Sequence, residues 1–356
     1  MLVFAYLFNH QTNSLMSKFS SLLATPGRLA PVGLLALTLL ASCSKYDEPS
    51  VVLPPAAPAV VTFTQAGLYP EGVQYDAPNS RFLVTSLTTG RVGQVKDDGT
   101  YSTAFPDDPK LVSAIGMYLD EPRNRVLVAI SDPGANQQRS APATQGKLAR
   151  LAIFNRSVPT AAPVVVELGS LRPNAGHFAN DITVDTQGNA YVTDSFSGII
   201  YKVDATTNVA SVFLESPQFV APAGTFGLNG IVFHPDGYLL VAKSDEGKLF
   251  KIPLAAPATF TTVATSQNLM AADGLLLQDN NTLQVVSNAQ AKVFRLGTTN
   301  GFTAATLSGT FNTAAQFPTT LARRDGASYV LYANLDALFS GRTPAVSQFS
   351  INRVNF

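Results

Sequence analysis

The feature that most constrains this chain is a segment that recurs six times. Its clearest copy, NDITVDTQGNAYVTDSFSGIIYKVD from Asn180 to Asp204, holds three short β-branched and aromatic runs. These are Ile182 and Val184, then Tyr191 and Val192, then Ile199 and Ile200, separated by turns at Thr186-Gln187-Gly188-Asn189 and Ser195 to Gly198. Each run is too short for a helix and suits a strand. Related copies begin at Pro70, Ile115, Leu228, Ala272 and Thr319.

Aligned on the residue that opens the first strand, the copies give Gly72, Gly116, Asp181, Gly230, Gly274 and Thr320. The period is about 45 residues, with one long interval, and such a period with several strands per unit predicts a β-propeller. A single blade cannot bury both faces of its sheet, so six must stack around an axis, with each first strand lining the channel. The segment from Val60 to Ala66 is expected to pair with the last blade, around Val346 to Phe356, and close the ring. Composition agrees with an all-β fold. Only 13% of residues are charged, with 25 Gly and 23 Pro and no long amphipathic segment. The 24 basic and 24 acidic residues balance, which gives no electrostatic footprint for nucleic acid.

The residue before each aligned position enters the channel. Around the ring these are Glu71, Ile115, Asn180, Asn229, Asp273 and Thr319. Two carboxylates and two amides converging on one axis offer hard oxygen donors, which suit Ca²⁺, or another hard divalent cation, better than Zn²⁺. Without a cation Glu71 and Asp273 would repel one another. Asn180 and Asn229 have a plainer alternative, capping strand ends by bonds to turn backbone.

Residues 1–43 read as a targeting segment. Lys18 and Arg28 precede the apolar run Pro31 to Leu40, too short to span a bilayer, which ends in Leu40-Ala41-Ser42-Cys43. That ending resembles the lipobox of bacterial lipoproteins, which implies that Cys43 carries a lipid anchor; the alternative is an ordinary cleavable signal. Residues 44–59, with Pro49, Pro54, Pro55 and Pro58, read as an extended tether. The expected arrangement is a monomeric propeller over residues 60–356, held at the cell envelope, periplasmic or surface-facing, and touching the membrane only through the anchor.

In blade two, Asp132 to Lys147 is inserted between the second and third strands. Strand reversal puts it on the face where the first strands start, as a lid or a disordered excursion. His177 lies on that face, read either as a surface-loop residue or as a substrate contact. His234, in a first-to-second-strand turn, lies on the other, and Asp194 and Asp245 read as turn formers.

The placement of Glu71 in PEG, Asn180 in an ND pair, Asn229 in LNG and Asp273 in ADG resembles the regucalcin/gluconolactonase family over roughly Leu68 to Leu335. The resemblance implies a six-bladed propeller acting as a Ca²⁺-dependent lactonase. It further implies that Glu71, Asn229 and Asp273 hold the metal, that Asn180 contacts substrate and that Asp273 is the base. One departure is plain: where that family carries a sugar-acid-binding arginine, two residues before Asn180, this chain has Phe178, preceded by His177. Two functions follow as expectations. One is a metal-dependent hydrolase of lactones or related esters acting on a small molecule; the other is a non-catalytic binding propeller with a structural cation.

Overall fold

The computed structural model describes residues 56–356. The targeting segment, Cys43 and most of the proline-rich tether lie outside them. The described residues form six four-stranded antiparallel sheets, taken in chain order around a six-bladed β-propeller. The first strands are Val73–Asp76, Ser113–Asp120, Ala179–Val184, Leu228–His234, Ala272–Asp279 and Pro318–Arg324. The last blade is completed from the other end of the chain. Val60–Thr64 forms its outermost strand, with Val61 opposite Ile351 and Phe63 opposite Phe349. Beside it, Pro58 O accepts from Tyr329 Oη and Ala59 O from Arg353 N, so the end of the proline-rich stretch is docked on the last blade.

The hydrophobic clusters lie between blades, because each sheet covers its neighbour's face. Leu83 and Val92 of blade one pack with Met117, Val126 and Val128 of blade two, while Tyr238, Leu240 and Leu249 of blade four meet Leu275, Val285 and Phe294 of blade five. Second strands such as Arg125–Ser131 (RVLVAIS) are buried at nearly every position. A sheet covered on both sides reads as a continuous apolar run and not as an alternating one.

The first strands share one irregularity. In blades two to six the ladder shifts register between Ala114 and Met117, Ala179 and Ile182, Leu228 and Ile231, Ala272 and Leu275, and Pro318 and Leu321. Two residues in each bulge leave the ladder, which re-aims their side chains. They are the axial residue and the aligned one after it, for example Asn229-Gly230 and Asp273-Gly274. Glycine at the aligned position is steric: a Cβ on Gly230 would stand 2.3 Å from Asp273 O, and one on Gly116 2.4 Å from Asn180 O. Asp181 and Thr320 occupy the two aligned positions of the ring that carry a larger side chain.

The Asp132–Lys147 insertion is ordered and bracketed, neither a disordered excursion nor part of the cavity wall described below. Buried Asp132 accepts from Gly134 N (2.9 Å) and Thr144 Oγ1 (2.6 Å), and Arg139 reaches blade one through the carbonyls of Thr89, Asp108 and Leu111 and the Asp107 carboxylate. Blade six also has a long second-to-third-strand connection, with a helix at Leu335–Phe339 that the strand pattern did not reveal. Among the described residues no helix is long and apolar enough to cross a membrane.

At the end of the ring where first strands finish, several acids are matched with arginines, the buried Asp76 and Asp120 and the exposed Asp97. Asp76 meets Arg81 (2.8 Å) and Arg156 (2.5 Å), Asp120 meets Arg125 (2.7 Å), and Arg324 grips Asp97 with two nitrogens. Arg156 and Arg324 each span two blades. His234 belongs to the same stitching: it is 1% exposed, stacks on Tyr238, and bonds to Asn280 O of the next blade.

Candidate functional site

At the opposite end the bulges aim side chains at a small cavity lined by Glu71, Asp181, Asn229 and Asp273, with Gly116, Met117, Gly274 and Thr320. About 10 Å³ is open to the centre of a water-sized sphere, room for about one water or ion. Three of the sequence-predicted residues therefore share this cavity: Glu71, Asn229 and Asp273. Asn180 is not in its lining. Asn180 Nδ2 donates to Ser195 Oγ (2.9 Å), and its buried Oδ1 has no hydrogen-bond partner.

Asp181 is the wall residue that sequence reasoning passed over. It stood in the alignment as the residue opening a strand, and the signal was its departure from glycine there. Its carboxylate accepts from Ile182 N (2.8 Å) and from Ile231 N of the next blade (3.2 Å), an amide that follows the blade-four bulge.

A supporting row stands behind the axial one. Asn180 donates to Ser195, Asn229 to Ser244 Oγ (3.1 Å), and Asn288 Nδ2 to Asp273 Oδ2 (3.0 Å). Each partner is 15 residues further along, at the end of the same blade's second strand. This spacing is legible in the sequence once the bulged register is known. In blade one Thr85 Oγ1 takes the amides of both Glu71 and Gly72.

The electrostatics are those of acids enclosed without a counter-charge. Burial, then the charges of Asp273 and Asp181, pushes the Glu71 carboxyl well above its ordinary range. Burial raises Asp181 to about 7 against its two backbone donors. Burial also raises Asp273 to about 7, opposed by Asn288 and Asn229 and reinforced by the charge of Asp181. Glu71 Oε2 is buried with no hydrogen-bond partner. Among the described residues no three His, Cys, Asp or Glu side chains are grouped so as to hold a metal. An ion here would have to draw on an amide oxygen such as that of Asn229.

His177 is neither a surface-loop residue nor a free substrate contact. It is 1% exposed, with Nδ1 2.7 Å from Asp194 Oδ2 and Nε2 2.8 Å from Arg172 O. Both nitrogens face acceptors, the pattern of a doubly protonated ring. Burial works against that charge, but the bond and charge of Asp194 outweigh it and leave the His177 pKa raised. Asp194, expected as a turn former, also accepts from Tyr201 Oη and from Phe178 N. His177 N donates to Gly146 O, tying the insertion to blade three.

No protein-family model and no curated sequence matches the chain. Solved structures do resemble it. The allergen Mala s 1 of Malassezia sympodialis aligns with a TM-score of 0.64 at 15% identity, over 84% of this chain and 97% of the allergen. A gluconolactonase of Xanthomonas campestris aligns at 0.56 and 13%, over 83% and 89%. A chain of a nidogen/laminin complex aligns at 0.54 and 14%, over 72% and 85%. At these identities the likeness establishes the fold: the chain is a six-bladed β-propeller with gluconolactonase-like propellers among its structural neighbours.

Proposed function

We propose that this chain is a divalent-cation-dependent hydrolase of lactones or related esters, acting at the mouth of the axial cavity. The observation that carries the reading is Glu71 Oε2, a buried oxygen without a partner in an ion-sized space walled by three carboxylates. Burying such groups uncompensated is costly, and a hard cation suits their all-oxygen donor set. Glu71, Asn229 and Asp273 would hold Ca²⁺ or a similar ion, with the charge of Asp181 behind them. When bound, it would supply Lewis-acid polarisation of the scissile carbonyl.

The remaining work falls to side chains. Asp273, steadied by Asn288, would take the proton from an attacking water. Asn180, fixed through Nδ2 by Ser195, would contact substrate only once its buried, unpaired Oδ1 is uncovered. The gluconolactonase among the fold neighbours supports this chemistry. The cell-envelope placement implied by Cys43 belongs to the same proposal.

A second reading, a non-catalytic binding propeller with a structural cation, is favoured by the cavity's size. It has room for an ion but not for a lactone, which must sit outside. That a chain of a nidogen/laminin complex shares this fold supports the binding reading. A lactone panel assayed with chelator, with Ca²⁺ and with other divalent ions separates the two. Metal-dependent turnover is expected. Turnover indifferent to chelation would sink the mechanism, and none across the panel despite calorimetric Ca²⁺ binding would leave the binding propeller.

A further inference from the structure

At the same end of the ring as the axial carboxylates, blades three and four present three phenylalanines that the axial chemistry does not use. Phe178 stands two residues before Asn180, and Phe226 three before Asn229. Phe196 follows Ser195, whose hydroxyl holds Asn180 and whose carbonyl accepts from Gly227 N (2.9 Å). All three sit on strand lead-ins or second-to-third-strand turns, the end of the ring that carries the cavity. Their ring centroids lie 5.4 Å (Phe178 and Phe196), 5.0 Å (Phe178 and Phe226) and 5.3 Å (Phe196 and Phe226) apart.

Phe178 is 5% exposed and forms the floor, while Phe196 and Phe226 are half-buried and keep surface open to solvent. Two cations of the flanking segments are already paired. Arg172 pairs with Glu215 at 2.7 Å, and Lys243 is buried against Asp245 and Glu246. The cavity end of blades three and four thus offers aromatic surface, with the Asp194 carboxylate occupied by the backbone amides of Phe178 and Phe196.

We propose that Phe178, Phe196 and Phe226 form a subsite for an alkyl or aryl substituent of the substrate. The preferred substrates are then lactones or esters bearing a hydrocarbon group, not polyhydroxylated sugar lactones. This substrate class rests on the hydrolase reading above. The physical basis is transfer of hydrocarbon from water to an aromatic surface, which gives about fourfold in kcat/KM for each methylene covered.

The test is a γ-lactone series of increasing alkyl chain, set beside glucono-1,5-lactone and run on the full chain with Ca²⁺. Phe196→Ala and Phe226→Ala, singly and together, are compared at matched thermal stability; both rings are half-exposed, so these variants spare the buried Phe178. Binding of the corresponding γ-alkyl lactams, which resist hydrolysis, is measured by calorimetry in parallel. The expected result is a kcat/KM that climbs with chain length and a climb flattened in the double variant, with lactam affinity following the same pattern. A flat series, or a preference for the sugar lactone, overturns the subsite while leaving the hydrolase standing. If no lactone turns over, the hydrolase reading falls and lactam binding decides alone: chain-length-dependent affinity lost in the double variant keeps the subsite, and its absence removes it.

Discussion

The two ends of this propeller treat buried acid in opposite ways. At the end where first strands finish, Asp76 is fully buried but held by Arg81, Arg156 and Asn79, and its pKa lies below the ordinary range, the desolvation penalty being outweighed by these partners. At the other end Glu71, Asp181 and Asp273 share one cavity and are all pushed upward; amides bond to Asp181 and Asp273, while Glu71 Oε2 has no partner. Arginines stand beside the buried Asp76 and Asp120, whereas these three have none. Under the proposed function the difference has a meaning: arginine-paired acids stitch blades together, whereas the axial ones are where a cation would bring the missing charge.

The contrast can be broken most sharply at Asp273. Asp273→Asn keeps shape and an oxygen donor but removes the charge and the base, so kcat/KM should fall by about 10²- to 10⁴-fold while the melting temperature holds or rises. Retained turnover in a folded variant would remove Asp273 from the chemistry. Arg156→Ala makes the complementary cut. It leaves Asp76 buried with one arginine fewer, and denaturant unfolding should show a loss of about 3 kcal/mol, with kcat/KM of the folded protein unaltered. An equally large loss of activity would deny that the two ends are separable.

Glu71→Gln should stabilise the cation-free protein by about 1 kcal/mol, since a buried charge disappears next to two others. The same variant should bind Ca²⁺ more weakly, with excess ion restoring part of its turnover. If the proposed site binds Ca²⁺, a hundredfold excess over Kd should stabilise the parent by about 2.7 kcal/mol, so the stability order of the two proteins should reverse on adding it. Melting curves with and without Ca²⁺ check both signs.

The smallest effect concerns His177, an acid–base pair at the axial end that is fully matched. Its folded pKa is raised, so its contribution is complete below the unfolded value, near 6.5, and is lost as pH rises through the folded value. The stability difference between the parent and His177→Gln should therefore be largest below about pH 6.5 and shrink above it. A constant difference across that range would make the His177 link to Asp194 pH-insensitive.

The blades were legible because strand pairing and turn chemistry repeat in every copy, and ring closure followed from the same pattern. Glu71, Asn229 and Asp273 were legible as a set because equivalent positions in a closed ring must converge. Asp181 was not, since a one-residue shift normally flips a side chain to the other face, and only the bulge places two successive residues at the axis. His177 was misread because its environment comes from Asp194 on the neighbouring strand and Gly146 of the blade-two insertion, contacts that no local pattern encodes. The blade-six helix escaped notice because a five-residue apolar stretch resembles a strand fragment.

Closure of the last blade by Val60–Thr64 also bears on timing. During synthesis this strand leaves the ribosome first, yet its partner Gln348–Arg353 arrives last, so its backbone amides and carbonyls must wait without a mate. Five blades' worth of chain can begin to assemble while the circle is still open, and the inner faces of the first and last blades stay wet until the final strand emerges. The interval is one in which a chaperone would find its work, and in which a premature stop shortly before Gln348 would yield a nearly whole protein that never shuts.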